Sequence, residues 1–211
     1  MPHTLFFRLA LMAALLAQPL AAQRTVKGND VVSTALPSAV LQVAPGMTYA
    51  GTQSFDLYGV ANVEQHFFVE LDGTRVKRFL WIQFEGYKPD NTHTYDYKDS
   101  TVTHSGQTWH RRVASTRIAE TEARPDSDGA RARGFIKAKG WTLGPDVLTE
   151  RLVWLLDSPA RNELMIIYME DLADQGLTAA DVREGGKARD RWAGIADAFH
   201  QRALGTFVVK Q

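Results

Sequence analysis

The sequence contains no cysteine, and this absence excludes several kinds of chemistry at once. Disulfide bonds, thiol catalysis, cysteine-based zinc sites and iron–sulfur clusters all require that residue. The fold must therefore be held together by packing and hydrogen bonds.

Short catalytic motifs are missing as well. There is no His-Glu-x-x-His, Gly-x-Ser-x-Gly or Ser-x-x-Lys pattern, and no glycine-rich phosphate loop followed by lysine. These absences weigh against the common enzyme classes, although groups that meet only in space would escape such patterns. We therefore assign no catalytic residue, no metal ligand and no cofactor from the sequence.

The chain also lacks an excess of either charge, because 24 Lys and Arg residues balance 24 Asp and Glu residues. Such a balance gives no attraction to nucleic acid or to an anionic membrane. The apolar run Leu9–Ala17, roughly nine residues, is far shorter than the ~20 that a membrane-spanning helix needs. We expect no nucleic-acid partner, and no membrane span once the leader described next is removed.

Residues 1–22 have the three parts of a cleavable secretory signal. His3 and Arg8 give a positive start, Leu9–Ala17 form the apolar core, and the sequence Leu-Ala-Ala at 20–22 precedes the predicted cut. We predict cleavage after Ala22 and export to the periplasm or the medium. Retention of the segment as an uncleaved anchor is the alternative.

The remaining chain divides into a short lead-in and one domain. Residues 23–36 are polar, lack an apolar period and end before Pro37, which predicts a flexible lead-in. Residues 37–211 are numerous enough to bury a sizeable core as a single unit. We therefore predict a single domain over 37–211.

Several segments of this domain alternate apolar and polar residues and are rich in β-branched or aromatic side chains, as strands are. They are Ser54–Tyr58, Val63–Leu71, Arg78–Glu85, Thr101–His104, Thr108–Arg117, Glu150–Asp157, Glu163–Asp171 and Phe207–Val209. Turn residues at 72–73, 105–106 and 158–162 predict antiparallel hairpins between neighbouring segments.

Two helices are predicted from apolar residues at helical spacing. The first is capped by Asp126 or Ser127 and ends at Gly140. The second extends from about Lys187 to Leu204 and carries an apolar stripe that includes Ala188, Trp192, Ile195 and Phe199. The stripe predicts that Trp192 anchors this helix to the sheet, whereas His200 is expected at its boundary.

Hairpins with helices packed on them predict an α+β fold. We expect a curled antiparallel sheet of about six to eight strands, with a helix between strands and a long C-terminal amphipathic helix on one face. The last hairpin, 150–171, is apolar on both faces, so it must be central and covered on both sides. A helix can cover one face, and the N-terminal segment, curling of the sheet or a bound apolar molecule must cover the other.

The densest group of reactive side chains lies in the loop Tyr87–Tyr97, after a strongly apolar strand. We take Tyr87, His93, Tyr95 and Asp96 as candidate ligand-binding residues, because loops at the end of a sheet often carry binding groups. An ordinary surface loop with turn-forming Asp and Asn is the alternative.

Aromatic and basic residues give two weaker candidates. Trp81 and Trp154, in predicted strands, are candidates for the wall of an apolar pocket, but large aromatics also build ordinary cores. A basic stretch that includes Arg124 and Arg133 offers a place for an anionic ligand, although such charges more often form the solvated face of a helix.

We therefore expect an exported binding or accessory domain that holds a small apolar or amphipathic molecule, or a protein partner. A hydrolase or metal-dependent enzyme with its site in the Tyr87–Tyr97 loop is the second hypothesis. A structural envelope protein without a pocket is the third. An enclosed apolar cavity, a concave polar site or neither would distinguish these three hypotheses.

Overall fold

The structure, a computed structural model, describes residues 23–121 and 124–211. The predicted signal peptide lies outside the described residues. The described strands are β1 (Arg24–Lys27), β2 (Asp30–Ser33), β3 (Ala39–Val43), β4 (Thr48–Leu57), β5 (Ala61–Asp72), β6 (Arg75–Tyr87), β7 (Ser100–His104), β8 (Gln107–Arg117), β9 (Thr142–Leu143), β10 (Asp146–Leu155), β11 (Asn162–Asp171) and β12 (Phe207–Lys210). The α-helices are α1 (Asp128–Ala138), α2 (Ala179–Val182) and α3 (Trp192–Leu204).

These strands form two sheets. The large sheet has the order β4-β5-β6-β11-β10-β8-β7, with every neighbouring pair antiparallel, and the short strand β9 lies parallel to β6. The small sheet has the order β1-β2-β3-β12 and is also antiparallel. The predicted α+β fold, built on an antiparallel sheet with a helix between strands and a C-terminal helix, is confirmed.

The small sheet differs from the sequence-based expectation. Residues 23–36, predicted as a flexible lead-in before the domain, contain β1 and β2 and pair through β2 with β3. Val31 is fully buried there, next to Leu41 of β3. Strands of four residues are too short to show a clear period, and β3 completes its pairing with β12, which is distant in sequence. For these reasons the local pattern did not indicate the second sheet.

The last hairpin, β10 and β11, lies in the middle of the large sheet as predicted. Alternate residues of β11 point to opposite faces, so Leu164 and Ile166 contact the core beneath the small sheet and α3, whereas Met165 and Ile167 face α1. We call these the α3 face and the α1 face of the large sheet. The chain therefore forms three layers, with the large sheet as the middle one.

Helix α1 begins and ends where the sequence predicts. The Ser127 side chain caps it, accepting a hydrogen bond from the Ala130 backbone N–H at 3.1 Å. Ala132 and Ile136 are buried against the α1 face. Beyond the last turn Gly140 adopts a positive φ of 75°, which other residues adopt rarely.

Helix α3 differs from its prediction in two respects. It begins at Trp192 rather than near Lys187, because a turn of 3-10 helix precedes it. Its buried residues are Phe199, His200 and Ala203, whereas Trp192, which packs against the same core as predicted, is only half-buried. The His200 ring is drawn inward by the Glu150 carboxylate, which lies 2.6 Å from its Nδ1.

Candidate functional site

A cavity of about 550 Å³ lies between the α1 face of the large sheet and helix α1. Strands β6 and β11 supply an apolar floor, and all of the floor side chains except Met169 are buried. The floor residues are Phe79, Trp81, Met165, Ile167 and Met169.

The rim of the cavity is polar. The chain that follows β8 contributes Glu120, Thr121 and Arg124, and the first turns of α1 contribute Asp128 and Arg133. These side chains are exposed or half-buried, so the cavity opens to solvent along this side. An apolar floor with a few polar groups at its edge is typical of small-molecule sites.

The sequence of α1 explains why a space remains here. Gly129 and Ala132, in the first turns of the helix, both line the cavity and leave the floor uncovered. One turn later Phe135 and Ile136 fill the gap, and the Phe135 ring packs on Phe67 with a centroid distance of 4.5 Å. The helix therefore packs tightly at its C-terminal half and leaves a cavity at its N-terminal half.

Arg151 connects the cavity with the loop that follows β6. Its guanidinium forms an ion pair with Asp99 and lies 4.8 Å from the centre of the Tyr97 ring. It also lines the cavity next to the floor. Its Nε is buried without a hydrogen-bond partner among the described residues.

A chain of buried amides lies beside the cavity on the α1 face. Gln53 donates to Gln65 at 2.6 Å, Gln65 donates to Gln83 at 2.7 Å, and Gln83 donates to Oε2 of Glu85 at 2.5 Å. The Trp81 indole N–H also donates to Gln83, at 2.9 Å. Each amide is fixed by its neighbours, so this part of the sheet and the Trp81 ring are held in one orientation.

The amide chain ends at a pair of carboxyl groups, Glu85 of β6 and Glu163 of β11. The two residues are directly opposite each other in adjacent strands. The Tyr95 hydroxyl donates to Oε1 of Glu85 at 2.9 Å, and the Tyr97 hydroxyl donates to Oε2 of Glu163 at 2.7 Å. Two tyrosines thus fasten the loop onto the carboxyl pair.

Burial controls the protonation of this pair. Glu163 is only 2 % exposed, and this burial, reinforced by the neighbouring Glu85, raises its pKa to about 8. Burial also raises the pKa of Glu85, while its hydrogen bonds from Tyr95 and Gln83 oppose the rise. At neutral pH the pair therefore carries a proton, which we assign to Glu163.

The structure brings together three of the predicted loop residues. The rings of Tyr87 and Tyr95 stack at 4.4 Å, and the His93 ring lies 5.9 Å from Tyr87. Asp96 does not join them, because its carboxylate is exposed and pairs with Lys98 at 2.8 Å. The stacked rings lie beside the carboxyl pair, to which Tyr95 is hydrogen-bonded through Glu85.

The two predicted tryptophans lie on opposite faces of the large sheet. Trp81 belongs to the cavity floor on the α1 face. Trp154 is on the α3 face, where its ring is 5.9 Å from that of Trp109. They cannot line one pocket, because Trp81 is level with Ile167 of β11 and Arg151 of β10, and Trp154, three residues beyond Arg151, points to the opposite face.

Histidines do not assemble into a metal site in the described part of the chain. His104 contacts Phe207 through Nε2, at 2.9 Å from the backbone oxygen, whereas the His110 ring lies by Tyr97 on the other face. No group of three or more His, Asp or Glu side chains among the described residues is arranged to hold a metal ion.

Among the same residues, no helix combines the length and apolar character needed to cross a membrane.

Comparison of the chain with protein-family models, with curated proteins and with solved structures finds no match.

Sequence reasoning missed the polar residues that organise this region. Glu85, Glu163, Gln65 and Gln83 occupy inward positions of strands that are otherwise apolar. The sequence does show polar residues at strand positions that point to the same face as the apolar ones. Such positions indicate buried polar groups, and a buried polar group needs a hydrogen-bond partner. The partners themselves come from distant segments and were not predictable.

A neutral carboxylic acid next to a carboxylate is an arrangement that acid–base catalysts use. Here Tyr95 and Tyr97 are hydrogen-bonded to the pair, and these contacts hold the loop on the sheet. The cavity beside α1 differs from this region in having an apolar floor, which suits an apolar ligand.

Proposed function

We propose that the chain is an exported binding domain whose cavity, between the large sheet and α1, holds a small apolar or amphipathic molecule. The observation that carries this proposal is the cavity of about 550 Å³ with an apolar floor and a polar rim. Its volume lies within the ~300 to 1,000 Å³ that is typical of ligand sites.

The rigidity of the floor supports the proposal. Trp81 and Phe79 lie on β6, which pairs along its length with both β5 and β11. The Trp81 indole is further fixed by Gln83. A preformed site on paired strands loses little conformational entropy when it binds, which favours affinity.

The first experiment fills the cavity from α1. Ala132→Phe places a ring where Ala132 lines the cavity, and Ala138→Phe places the same ring on an exposed position of the same helix. We expect the neutral fluorescent probe N-phenyl-1-naphthylamine to bind the unmodified protein and the Ala138 variant equally. Binding to the Ala132 variant should be weaker by roughly tenfold or more, which corresponds to a loss of about 1.4 kcal/mol in binding free energy.

Overpacking also strains a core, so the urea midpoint of each variant must be measured alongside binding. A folded Ala132→Phe protein that binds the probe as tightly as the unmodified protein would refute the proposed site. Native mass spectrometry of protein purified from its own host then identifies the natural occupant. A bound metal instead of an organic molecule would favour the second hypothesis, a metal-dependent enzyme.

Export is tested separately, by cell fractionation and N-terminal sequencing. We expect the mature chain to begin at Gln23 and to occur outside the cytosol. A mature chain that still begins at Met1 in the cytosol would contradict this part of the proposal.

A further inference from the structure

The charges around the cavity differ from the neutral balance of the whole chain. Four arginines lie at or next to its rim: Arg124, Arg133 on α1 and Arg151 on β10 line the cavity, and Arg112 on β8 lies beside Arg151. Arg112 is directly opposite Arg151 in adjacent strands, so both side chains project from the α1 face.

The acidic groups at the same place are largely engaged. Glu120 is bound by both Nη atoms of Arg183, at 3.0 and 2.8 Å. One oxygen of Asp128 accepts a hydrogen bond from the Gly129 backbone N–H at 2.7 Å. Asp99 pairs with Arg151. Glu120 and Asp99 are thus paired with arginines, whereas Asp128 forms no ion pair with a described residue and remains as a negative charge on the lining.

Most of the hydrogen-bond donors of Arg133 are unused in the described part of the chain. A guanidinium has five N–H donors, and in the described part of the chain Arg133 uses one contact, from Nη2 to the Thr121 backbone oxygen at 3.1 Å. Neither Arg133 nor Arg112 forms an ion pair with a described residue. A half-buried guanidinium with free donors is suited to bind a carboxylate or phosphate with two parallel hydrogen bonds.

We propose that the ligand of the cavity is a single-chain amphiphile with an anionic head group, a carboxylate or a phosphate, which Arg133 binds at the rim while the chain lies on the Trp81 floor. Arg112, which forms no ion pair with a described residue, adds positive potential next to this position and so favours an anion over a neutral or cationic head. This inference rests on the proposed function, because it needs the cavity to be a ligand site.

The test compares amphiphiles that share one chain and differ in the head group. Decanoate, decyl phosphate, decanol and decyltrimethylammonium are titrated against the protein by displacement of N-phenyl-1-naphthylamine. We expect the two anions to bind roughly tenfold tighter than decanol, since a hydrogen bond to a charged group is worth about that factor. The cation should bind most weakly. The preferred anion shows whether the natural head group is a carboxylate or a phosphate.

Two variants assign the preference to a residue. Arg133→Gln should lose roughly tenfold in anion affinity and much less in decanol affinity, because the amide can still donate a hydrogen bond but carries no charge. Lys137→Gln, one turn further along α1 and exposed, removes the same charge away from the cavity and should change neither affinity. Added salt should weaken anion binding to the unmodified protein more than to Arg133→Gln.

The outcomes separate the two proposals. Equal binding of decanoate and decanol, or an anion preference that Arg133→Gln retains, overturns the anionic head group while the cavity remains a ligand site. Failure of every amphiphile and of the probe to bind the folded protein overturns both. Urea midpoints of the variants show that each is folded.

Discussion

Replacing Glu163 by glutamine should make the protein less sensitive to alkaline pH. Glutamine has nearly the shape of a protonated glutamate and can accept the hydrogen bond from Tyr97, but it cannot ionise. The groups that face Glu163 are Glu85 from β6, Tyr97 from the loop, Arg151 from β10 and Asp128 from α1. Burial is the largest influence on its pKa, and it favours the neutral form.

The direction and size of this pH effect on stability follow from the pKa of Glu163 in the folded and in the unfolded chain. Its pKa is about 8 in the folded protein and 4.5 in its ordinary, solvent-exposed state. Between these values the folded chain holds a proton that the unfolded chain has lost, so stability falls as pH rises. The contribution is complete below pH 4.5 and is lost as the pH passes through 8. At 1.36 kcal/mol per pH unit the upper limit of this loss is roughly 4 to 5 kcal/mol.

The assay is urea unfolding followed by tryptophan fluorescence between pH 5 and 9.5. The free energies of unfolding of the unmodified protein and of Glu163→Gln should be similar at pH 5. They should separate progressively above it, with the variant more stable by a few kcal/mol at pH 9. Glu85→Gln removes the neighbouring charge and should lower the pKa of Glu163, so its decline should be smaller but still present.

Parallel stability curves for the unmodified protein and Glu163→Gln would refute this reasoning. They would show that Glu163 is ionised in the folded state at neutral pH, and that the carboxyl pair does not share a proton.

Three further predictions concern the core. Phe199→Ala should lower the free energy of unfolding by about 3 to 5 kcal/mol, because the ring is fully buried. Arg189→Ala, at an exposed position, should lower it by less than about 0.5 kcal/mol, and urea unfolding compares the two variants. His200→Ala should cost about 3 to 5 kcal/mol in the same assay, because it leaves the buried Glu150 carboxylate without one of its partners, and a loss below about 1 kcal/mol would contradict this role. Amide hydrogen exchange should be slowest at Ile166, and rapid exchange there would be inconsistent with a central β11.

Local sequence patterns predicted the large sheet well. Its hairpins depend on turn residues next to each other in sequence, such as Asp72 and Gly73 between β5 and β6. The cap of α1 at Ser127 is equally local. The small sheet was not predictable, because β3 and β12 meet only when the whole domain has folded.

The phase of α3 shows why a correct pattern can still mislead. Trp192 and Phe199 are both on the apolar stripe, yet Phe199 stacks on Tyr168 at 5.4 Å and Trp192 lies at the half-buried start of the helix. His200 gains its buried position from Glu150, a strand residue distant in sequence. Helical spacing indicates a face, but the depth of each residue depends on what the sheet places opposite it.

The candidate site was predictable only in part. Of the predicted ligand-binding residues, Trp81, a large aromatic in a strand, lines the cavity, whereas Tyr87 and Tyr95 stack on each other elsewhere. The cavity itself depends on small residues, Gly129 and Ala132, opposite that strand. Nothing in the sequence indicates which strand a helix will cover, so an empty space between them has no local signal.

The arrangement of the small sheet has a consequence for synthesis. Strand β3 is synthesised well before β12, although Val43 of β3 pairs with Phe207 of β12 in the finished sheet. Until then one edge of β3 stays open, and Leu41 and Val31 lack the cover that the finished core provides. Contacts between such distant segments slow folding, because closing a long loop costs conformational entropy before the favourable contacts form. Strands β1, β2 and β3 can therefore pair with one another first, and the small sheet should lack its fourth strand until residues 207–210 have been synthesised.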